Sequence, residues 1–530
     1  MRPDENRRVY EVADCRAVAR WLASAAADPV TEGASAETRA TYLDTADWRF
    51  HRAGLTLCIR SGGGGIEAIS APLDAAPGAG AALPAASAPL AEARVDRLAD
   101  SPGIVGQRVR ALAGTNSLVP VVELLSCARE FAVGPRGATL ATLTLDETTV
   151  PLPGEEQPLR IARVEIAGDF GEERGRAWLA ALEAACDLHP VRTSLYQAAL
   201  RAIGLGPPPL PVLGPTEVDH RASVLDVARA VLRKQLLAVM AHEAGTRLGE
   251  DVEQLHDMRV ATRRIRAALR LFRDHVPERV FRLRQGFGWL GRALGEVRDL
   301  DVHLARLEEW RQELDDADGT AMQPIVDRLR RAREIARRRL LRVLDSRRYA
   351  RLLARAGREV RPRSRPRAAV PTPIVDAAPD LIARRYRRVL EAGDRLTPLS
   401  PSADWHAMRI RCKALRYALE FHLPVYGAAL REVIRPLVKL QDLLGQHQDC
   451  RVAADWLRRL VSERVRSLPR PTLFVAGTLS GRYEYAERSL RRDFRRRYAK
   501  LKGKRRRRLE ECMRRLRPPT QAIALPPRRS

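Results

Sequence analysis

Two stretches of this chain repeat one another at a fixed distance, and the repeat limits the available folds more than any other feature. His256-Asp-Met-Arg-Val-Ala-Thr-Arg-Arg-Ile-Arg266 aligns with His406-Ala-Met-Arg-Ile-Arg-Cys-Lys-Ala-Leu-Arg416, an offset of 150 residues. Leu294-Gly-Glu-Val-Arg-Asp299 pairs with Leu444-Gly-Gln-His-Gln-Asp449 at the same offset without a gap. Two separate segments in one register mark an internal duplication. Both copies lie in long amphipathic patterns rich in Leu, Ala and Arg, so the expected architecture there is an all-α, duplicated four-helix bundle.

Placed on a helix at about 100° per residue, His256, Arg259, Arg263, Arg266 and Arg270 fall within an arc of about 80°. Met258, Ala261, Ile265, Leu269 and Phe272 take the opposite, core-facing side. In the second copy His406, Arg409, Lys413 and Arg416 occupy the same arc, Glu420 replaces the last arginine, and Met408, Leu415 and Leu419 face the core. Cations three or four residues apart repel by a few tenths of a kcal/mol per pair. One such row is usually a solvated face. A row repeated with its histidine points instead to something anionic lying along it. Each contact to a phosphate oxygen would be a charge-assisted hydrogen bond worth roughly 1.5–3 kcal/mol before ordering costs. His256 and His406 would gain charge below about pH 6.5 and tighten that grip. Asp299 and Asp449 read as helix caps or as internal partners of the arginines. With neither a carboxylate pair nor a nucleophile beside these rows, no catalytic residue, metal or cofactor is expected.

Composition agrees with an anionic partner. The 530 residues carry a net charge of +28, a field that collects polyanions. Most of the cations are arginine, whose planar fork suits phosphate oxygens. Aromatic residues are 5% of the chain and do not interleave with the rows, so base stacking is not favoured. The seven cysteines are scattered without a C-x-x-C, the N-terminus lacks a secretory h-region, and no apolar run is long enough for a membrane span. A cytoplasmic protein is expected.

The chain changes character near residue 205. Before it, short alternating runs (Arg39 to Leu43, Leu55 to Arg60, Ala138 to Leu145, Leu159 to Ile166) read as strands, with helices at Arg16 to Ala27 and Glu172 to Ala185. Ala75 to Ala91 reads as a loop, and Gly62 to Gly65 as a hairpin turn rather than a phosphate loop. The expected divisions are an α+β antiparallel domain over 1–204, a proline-rich linker over 205–217, and helical repeats over 218–360 and 374–500. A basic, mobile tail is expected over 501–530.

The motifs H-x-M-R-V-x-x-R-R-x-R, L-G-x-V-R-D-L-D-V, H-x-M-R-x-R-x-K-x-L-R-Y-x-L-E-F and L-Q-D-L-L-G resemble those of the CHAD family, the conserved histidine α-helical domain, over about residues 218 to 500. That resemblance implies two four-helix bundles around a basic channel that binds inorganic polyphosphate, lined here by His256, Arg259, Arg263, Arg266, Arg270, His406, Arg409, Lys413 and Arg416. Arg298 and Lys439, in the other shared motifs, are further candidates, and Arg264 points sideways. Residues 1 to 204 resemble a CYTH domain, the triphosphate tunnel fold, through Tyr42-Leu-Asp-Thr45, Arg52-Ala-Gly-Leu55, Leu145-Asp146, Val164-Glu-Ile166 and Ser194-Leu-Tyr196. That family's E-x-E-x-K strand is here Glu5-Asn-Arg7-Arg-Val9. The strand Gly65 to Ala71 lacks its lysine, and Leu125, Cys127 and Leu195 stand where cations are expected. Arg60, Arg129, Glu165 and Asp146 remain and read as sheet residues, so a tunnel-like barrel without activity is expected. The expected function is binding of inorganic polyphosphate, with recruitment to polyphosphate granules. The alternatives are unspecific nucleic-acid binding and an active tunnel-type triphosphatase.

Overall fold

The structure, a computed structural model, describes residues 7–24, 28–73, 84–135, 139–152, 154, 157–191, 193–314, 316–362, 372–464 and 468–515. It divides into two compact units, one of residues up to Pro209 together with Ala244–Asp251, the other of Leu210–Glu243 and the chain from Val252 onward.

The first unit is a nine-stranded antiparallel sheet. Its strands are β1 (Arg7–Val12), β2 (Val30–Thr45), β3 (Leu55–Gly62), β4 (Gly65–Pro72) and β5 (Ala86–Leu90). They continue with β6 (Leu118–Val133), β7 (Ala141–Val150), β8 (Leu159–Gly168) and β9 (His189–Pro190). The spatial order is β5-β4-β3-β2-β6-β7-β8-β1-β9. Helices α1 (Cys15–Ser24), α2 (Arg49–Arg52), α3 (Gly103–Leu112), α4 (Glu173–Ala185) and α5 (Leu195–Ala202) connect them. Gly62 pairs with Gly65 across the β3–β4 hairpin, as its glycine run predicts. The stretch expected as a loop over 75–91 needs correction, because Ala86–Leu90 pairs with β4 at the edge of the sheet. Pro89 is tolerated there because an edge strand needs fewer ladder donors. Residues 74–83 lie outside the described residues.

The remaining helices are α6 (Val224–Ala241), α7 (Glu243–Leu248), α8 (Val252–Leu271), α9 (Glu278–Phe281), α10 (Leu283–Arg311) and α11 (Asp316–Leu344). They are followed by α12 (Arg347–Val360), α13 (Ile374–Arg395), α14 (Ser402–Phe421) and α15 (Leu423–Tyr426). The last are α16 (Ala428–Arg464), α17 (Arg470–Ala499) and α18 (Lys504–Arg515). The duplication is visible in these bounds: α6 and α13 begin at Val224 and Ile374, and α8 and α14 at Val252 and Ser402. Equivalent residues also touch. Ser223 and Pro373 form a β-bridge, with the Val224 N–H donating to Thr372 O at 3.0 Å and the Ile374 N–H to Ala222 O at 2.9 Å. Phe272 packs against its own counterpart His422, ring centroids 5.8 Å apart. A pseudo-two-fold axis therefore relates the halves, and one continuous core runs through both. The predicted core faces are buried in it, with Met258, Leu269, Phe272, Met408, Leu415 and Leu419 all fully enclosed. A second core joins α10, α11, α16 and α17, two helices from each repeat.

Two boundaries differ from expectation. The proline-rich stretch belongs partly to the helical unit, since Leu213 is buried in its core and Arg233 donates to Pro215 O at 2.8 Å and Val360 O at 2.7 Å. The expected tail contains α18, held by buried Leu509 and Met513; their apolar side chains outweigh the basic run around them. Residues 516–530 lie outside the described residues.

Close packing between α13 and α17 yields a stability prediction. A Cβ on Gly393 would sit 2.3 Å from Cε2 of Tyr498, which is buried and donates its hydroxyl towards Leu390 O and Asp394 Oδ1, each at 2.8 Å. On an open helix face Gly→Ala stabilises by up to about 1 kcal/mol. Here Gly393→Ala should instead destabilise by about 1–3 kcal/mol through overpacking. Thermal melts followed by circular dichroism check the sign; a stabilised variant would contradict the packing.

Candidate functional site

The cationic rows meet where α8 and α14 approach. Each row begins as a consequence of core packing: the methionine and leucine faces of α8 and α14 turn inward, so the arginines at i+3 and i+4 spacing turn towards the other half. Arg263 lies 5.9 Å from the ring centre of Tyr417, and Arg264 forms an ion pair with Glu420. Arg259, Arg263, Arg409 and Lys413 crowd together. Burial, then Arg409, Arg263 and Arg259, press the Lys413 ammonium down to about 7 from an ordinary 10.5. Burial lowers Arg259 and Arg409 as well; Arg263 and Arg298 add to it at Arg259, and Arg263 and Arg259 at Arg409.

Two carboxylates temper this charge. Asp299 accepts from Arg259 Nη2 at 3.2 Å, and Asp449 faces Arg409 and Lys413, its own carboxyl raised chiefly by burial. Both lie within helices, α10 and α16, so they are internal partners rather than caps.

The cluster opens into a cavity of about 1220 Å³. Its walls carry Arg263, Arg266, Arg270, Arg385, Arg388, Arg395, Arg409, Arg411 and Lys413, against only Glu391 and Asp404. The Nε atoms of Arg263, Arg266 and Arg409 are buried without a hydrogen-bond partner among the described residues. A buried, unpaired guanidinium donor is costly, so these are groups that an anion would satisfy. Only one aromatic residue, Tyr417, is among the lining residues.

Five of the residues expected from the sequence, Arg263, Arg266, Arg270, Arg409 and Lys413, line this cavity, and Arg259 adjoins it through the crowd just described. His256 sits near Arg298, its Nδ1 buried without a partner among the described residues and its pKa lowered first by burial, then by Arg298. Arg298 lies 3.6 Å from Glu253. His406 is exposed, with Nδ1 2.9 Å from Gln448 Oε1. Lys439 is exposed on α16 and is not among the lining residues. Arg416 is turned to other work: its Nε donates to Glu420 Oε1 at 2.6 Å and its Nη1 to Gln441 Oε1 at 3.4 Å. Arg385, Arg388, Arg395 and Arg411 were not expected. Three of them form an i, i+3, i+10 stripe on α13, a helical signal that the duplication does not mark.

The sheet unit presents a different electrostatic picture. Arg7 pairs with Glu165, Arg39 with Glu123, and Arg60 with Glu67 at 2.6 Å. Arg129 lies over Phe131, and Asp146 accepts from Thr148 at 2.8 Å. Glu5 lies outside the described residues.

Residues 230–458 match the family model of the CHAD domain, and the chain carries a CHAD domain there. An uncharacterized protein of Mycobacterium tuberculosis (strain CDC 1551) is 29% identical over 261 residues, 46% of this chain and 45% of its own. The chain thus spans under half the length of the curated relative it matches. The CHAD domain of the plant Ricinus communis is 25% identical, covering 56% of this chain and 98% of that one, with a TM-score of 0.46. The sheet unit's likenesses include a candidate adenylyl cyclase from Hippeastrum with a dominant triphosphatase activity, at 11% identity over 38% of this chain and 97% of that one, TM-score 0.26.

The crowding of Lys413 is testable without a ligand. A lysine whose folded pKa is depressed makes the folded state pay a penalty that is complete below the folded pKa and vanishes above the unfolded one. Lys413→Met should therefore raise the melting temperature most below pH 7 and progressively less towards pH 10. A gain or loss independent of pH would show that Lys413 is not held among cations.

Proposed function

We propose that the helical unit binds inorganic polyphosphate along the cavity between α8, α13 and α14, holding it without chemical change. The observation that carries this is the ratio on the cavity walls, nine cationic side chains to two carboxylates, with buried guanidinium donors left unpaired. Arginine forks match phosphate oxygens, and a polymer with a charge on every phosphate meets several forks at once. The CHAD motifs in the sequence support the same ligand. Nucleic acid shares the charge but would want stacking partners, and the lining offers Tyr417 alone. Binding of this kind would place the protein on cytoplasmic polyphosphate granules.

The decisive measurement is competition among long-chain polyphosphate, duplex DNA and heparin at physiological salt. Polyphosphate should win at matched charge, and an Arg259/Arg263/Arg409/Lys413→Ala variant should lose at least tenfold in affinity, about 1.4 kcal/mol, the low end for one charge-assisted contact. Equal binding of all three polyanions, or an unaffected variant, overturns the reading.

For the sheet unit we infer no hydrolytic role. Arg7, Arg39 and Arg60 are taken up by Glu165, Glu123 and Glu67, whereas phosphoryl transfer needs cations free for phosphate oxygens and acids free for a metal. Purified protein with tripolyphosphate and Mg²⁺ or Mn²⁺ should release no phosphate above background. Release that is abolished by Glu165→Gln would reverse this inference.

A further inference from the structure

The duplication is symmetric in backbone but not in charge, and the difference falls on one side of the cavity. In the first half, Arg266 lies over α10 where Gly288 and Gly291 leave room; a Cβ on either would come within 3.9 Å of its guanidinium. In the second half the equivalent of Gly291 is Gln441, which accepts from Arg416, the equivalent of Arg266. The equivalent of Arg270 is Glu420, which takes both Arg416 and Arg264. The second row is thus closed off after Lys413, while the first continues through Arg266 and Arg270.

The opposing wall has the complementary asymmetry. Arg385, Arg388 and Arg395 of α13 line the cavity, whereas their equivalents in the first repeat are Gln235, Ala238 and Gly245. Arg385 is pressed down to about 10 by burial, then by Arg384 and Arg388, and Arg388 and Arg395 are exposed. The stripe covers roughly 15 Å at 1.5 Å per residue. Arg266 and Arg270 border the same space.

We infer that polyphosphate leaves the central cluster through one arm, between the C-terminal half of α8 and α13, and that Arg385, Arg388 and Arg395 make the site favour long chains over short ones. This rests on the polyphosphate reading above. A short oligomer fills the central cluster of Arg259, Arg263, Arg409 and Lys413. A long chain must continue past it, and α13 offers the next cations. The two-fold-related exit is blocked by Glu420, whose carboxylate repels the chain and occupies Arg264 and Arg416, which would otherwise hold it.

The test compares long-chain polyphosphate with tripolyphosphate on the full chain. Arg385/Arg388/Arg395→Ala should weaken long-chain binding roughly tenfold and lower its salt slope by about 2, the loss for three contacts to a single-stranded polyanion. Tripolyphosphate, held by Arg259, Arg263, Arg409 and Lys413, should bind within about twofold of the unaltered protein, its contacts being left in place. An Arg331/Arg338/Arg339→Ala control removes the same charge from exposed positions of α11. Equal losses in the two triple variants would make the effect one of net charge and overturn the inference. So would unchanged long-chain binding, or equal losses for both chain lengths. The Arg259/Arg263/Arg409/Lys413→Ala variant separates the two levels: if it retains binding, the polyphosphate reading fails; if it loses binding while the α13 variant does not, only the one-armed path fails. A circular dichroism melt excludes unfolding, and Arg388→Glu/Arg395→Glu, both at exposed positions, provides a second variant that should reproduce the long-chain loss.

Discussion

Four cations held against one another cost free energy, and much of the helical unit is arranged around that cost. Arg259, Arg263, Arg409 and Lys413 are brought together by the opposite faces of their own helices, because the burial of Met258, Leu269, Met408 and Leu415 fixes how α8 and α14 are turned. Each fully buried aliphatic or thioether side chain contributes about 1.5–3 kcal/mol, and several on each helix oppose the repulsion. Asp299 and Asp449 offset part of it without neutralising the row, since two carboxylates face four cations. The protein therefore holds a field that a bound polyanion would relax. A net cationic cluster with spare donors is pre-organised: its ordering has been met by folding rather than by binding.

Gene-level duplication supplies the scaffold, and divergence at a few positions supplies direction. A strict two-fold site would treat both ends of a linear polymer alike. Glu420 and Gln441 end one row, while Gly288 and Gly291 leave the other row's Arg266 free to extend. The fold accommodates the second-half residues with their polar groups paired: buried Gln441 donates to Cys412 O at 2.7 Å, and Glu420 is held by Arg264 and Arg416. Backbone symmetry is preserved by the buried apolar positions, and function can drift on the polar face.

The parts of this arrangement that were legible in the sequence are those with a period. The 150-residue offset placed both helix rows in register, and the 3.6-residue period separated Met258, Ile265 and Leu269 from Arg259, Arg263 and Arg266 as the structure does. Strands with clean alternation, such as 55–60 and 159–166, were equally plain. The edge strand at 86–90 was hidden because its Ala, Ser and Pro residues carry little β signal and only pairing with β4 makes it a strand. α18 was hidden because seven basic residues mask the two apolar side chains that dock it. The fate of Arg416 was not legible either: in the helical wheel it is the twin of Arg266, and what separates them is a contact from a different helix, Gln441, and a neighbour one turn on. The α13 arginines carried a helical signal of their own but no counterpart in the first repeat, so repetition gave them no weight.

The two units treat charge in opposite ways, and that contrast bears on what each does. In the sheet, three arginines are answered by a glutamate on the neighbouring strand: Arg60 faces Glu67 directly in the ladder, and Arg39 and Arg7 reach Glu123 and Glu165, which stand opposite Thr41 and Val9, two residues along. Exposed pairs of this kind contribute little to stability, typically under about 1 kcal/mol each, so their consequence is mainly electrostatic: they leave no concentrated field. In the helical unit the cavity between α8, α13 and α14 is lined by nine arginine and lysine side chains against Glu391 and Asp404. Composition sets the contrast: residues 1–209 carry 21 Lys and Arg against 26 Asp and Glu, and the rest of the chain 72 against 39. Within the helical unit, which helix presents the counter-charge decides where the field concentrates, and that is why net charge alone, at +28, says that a polyanion is attracted but not where it would lie.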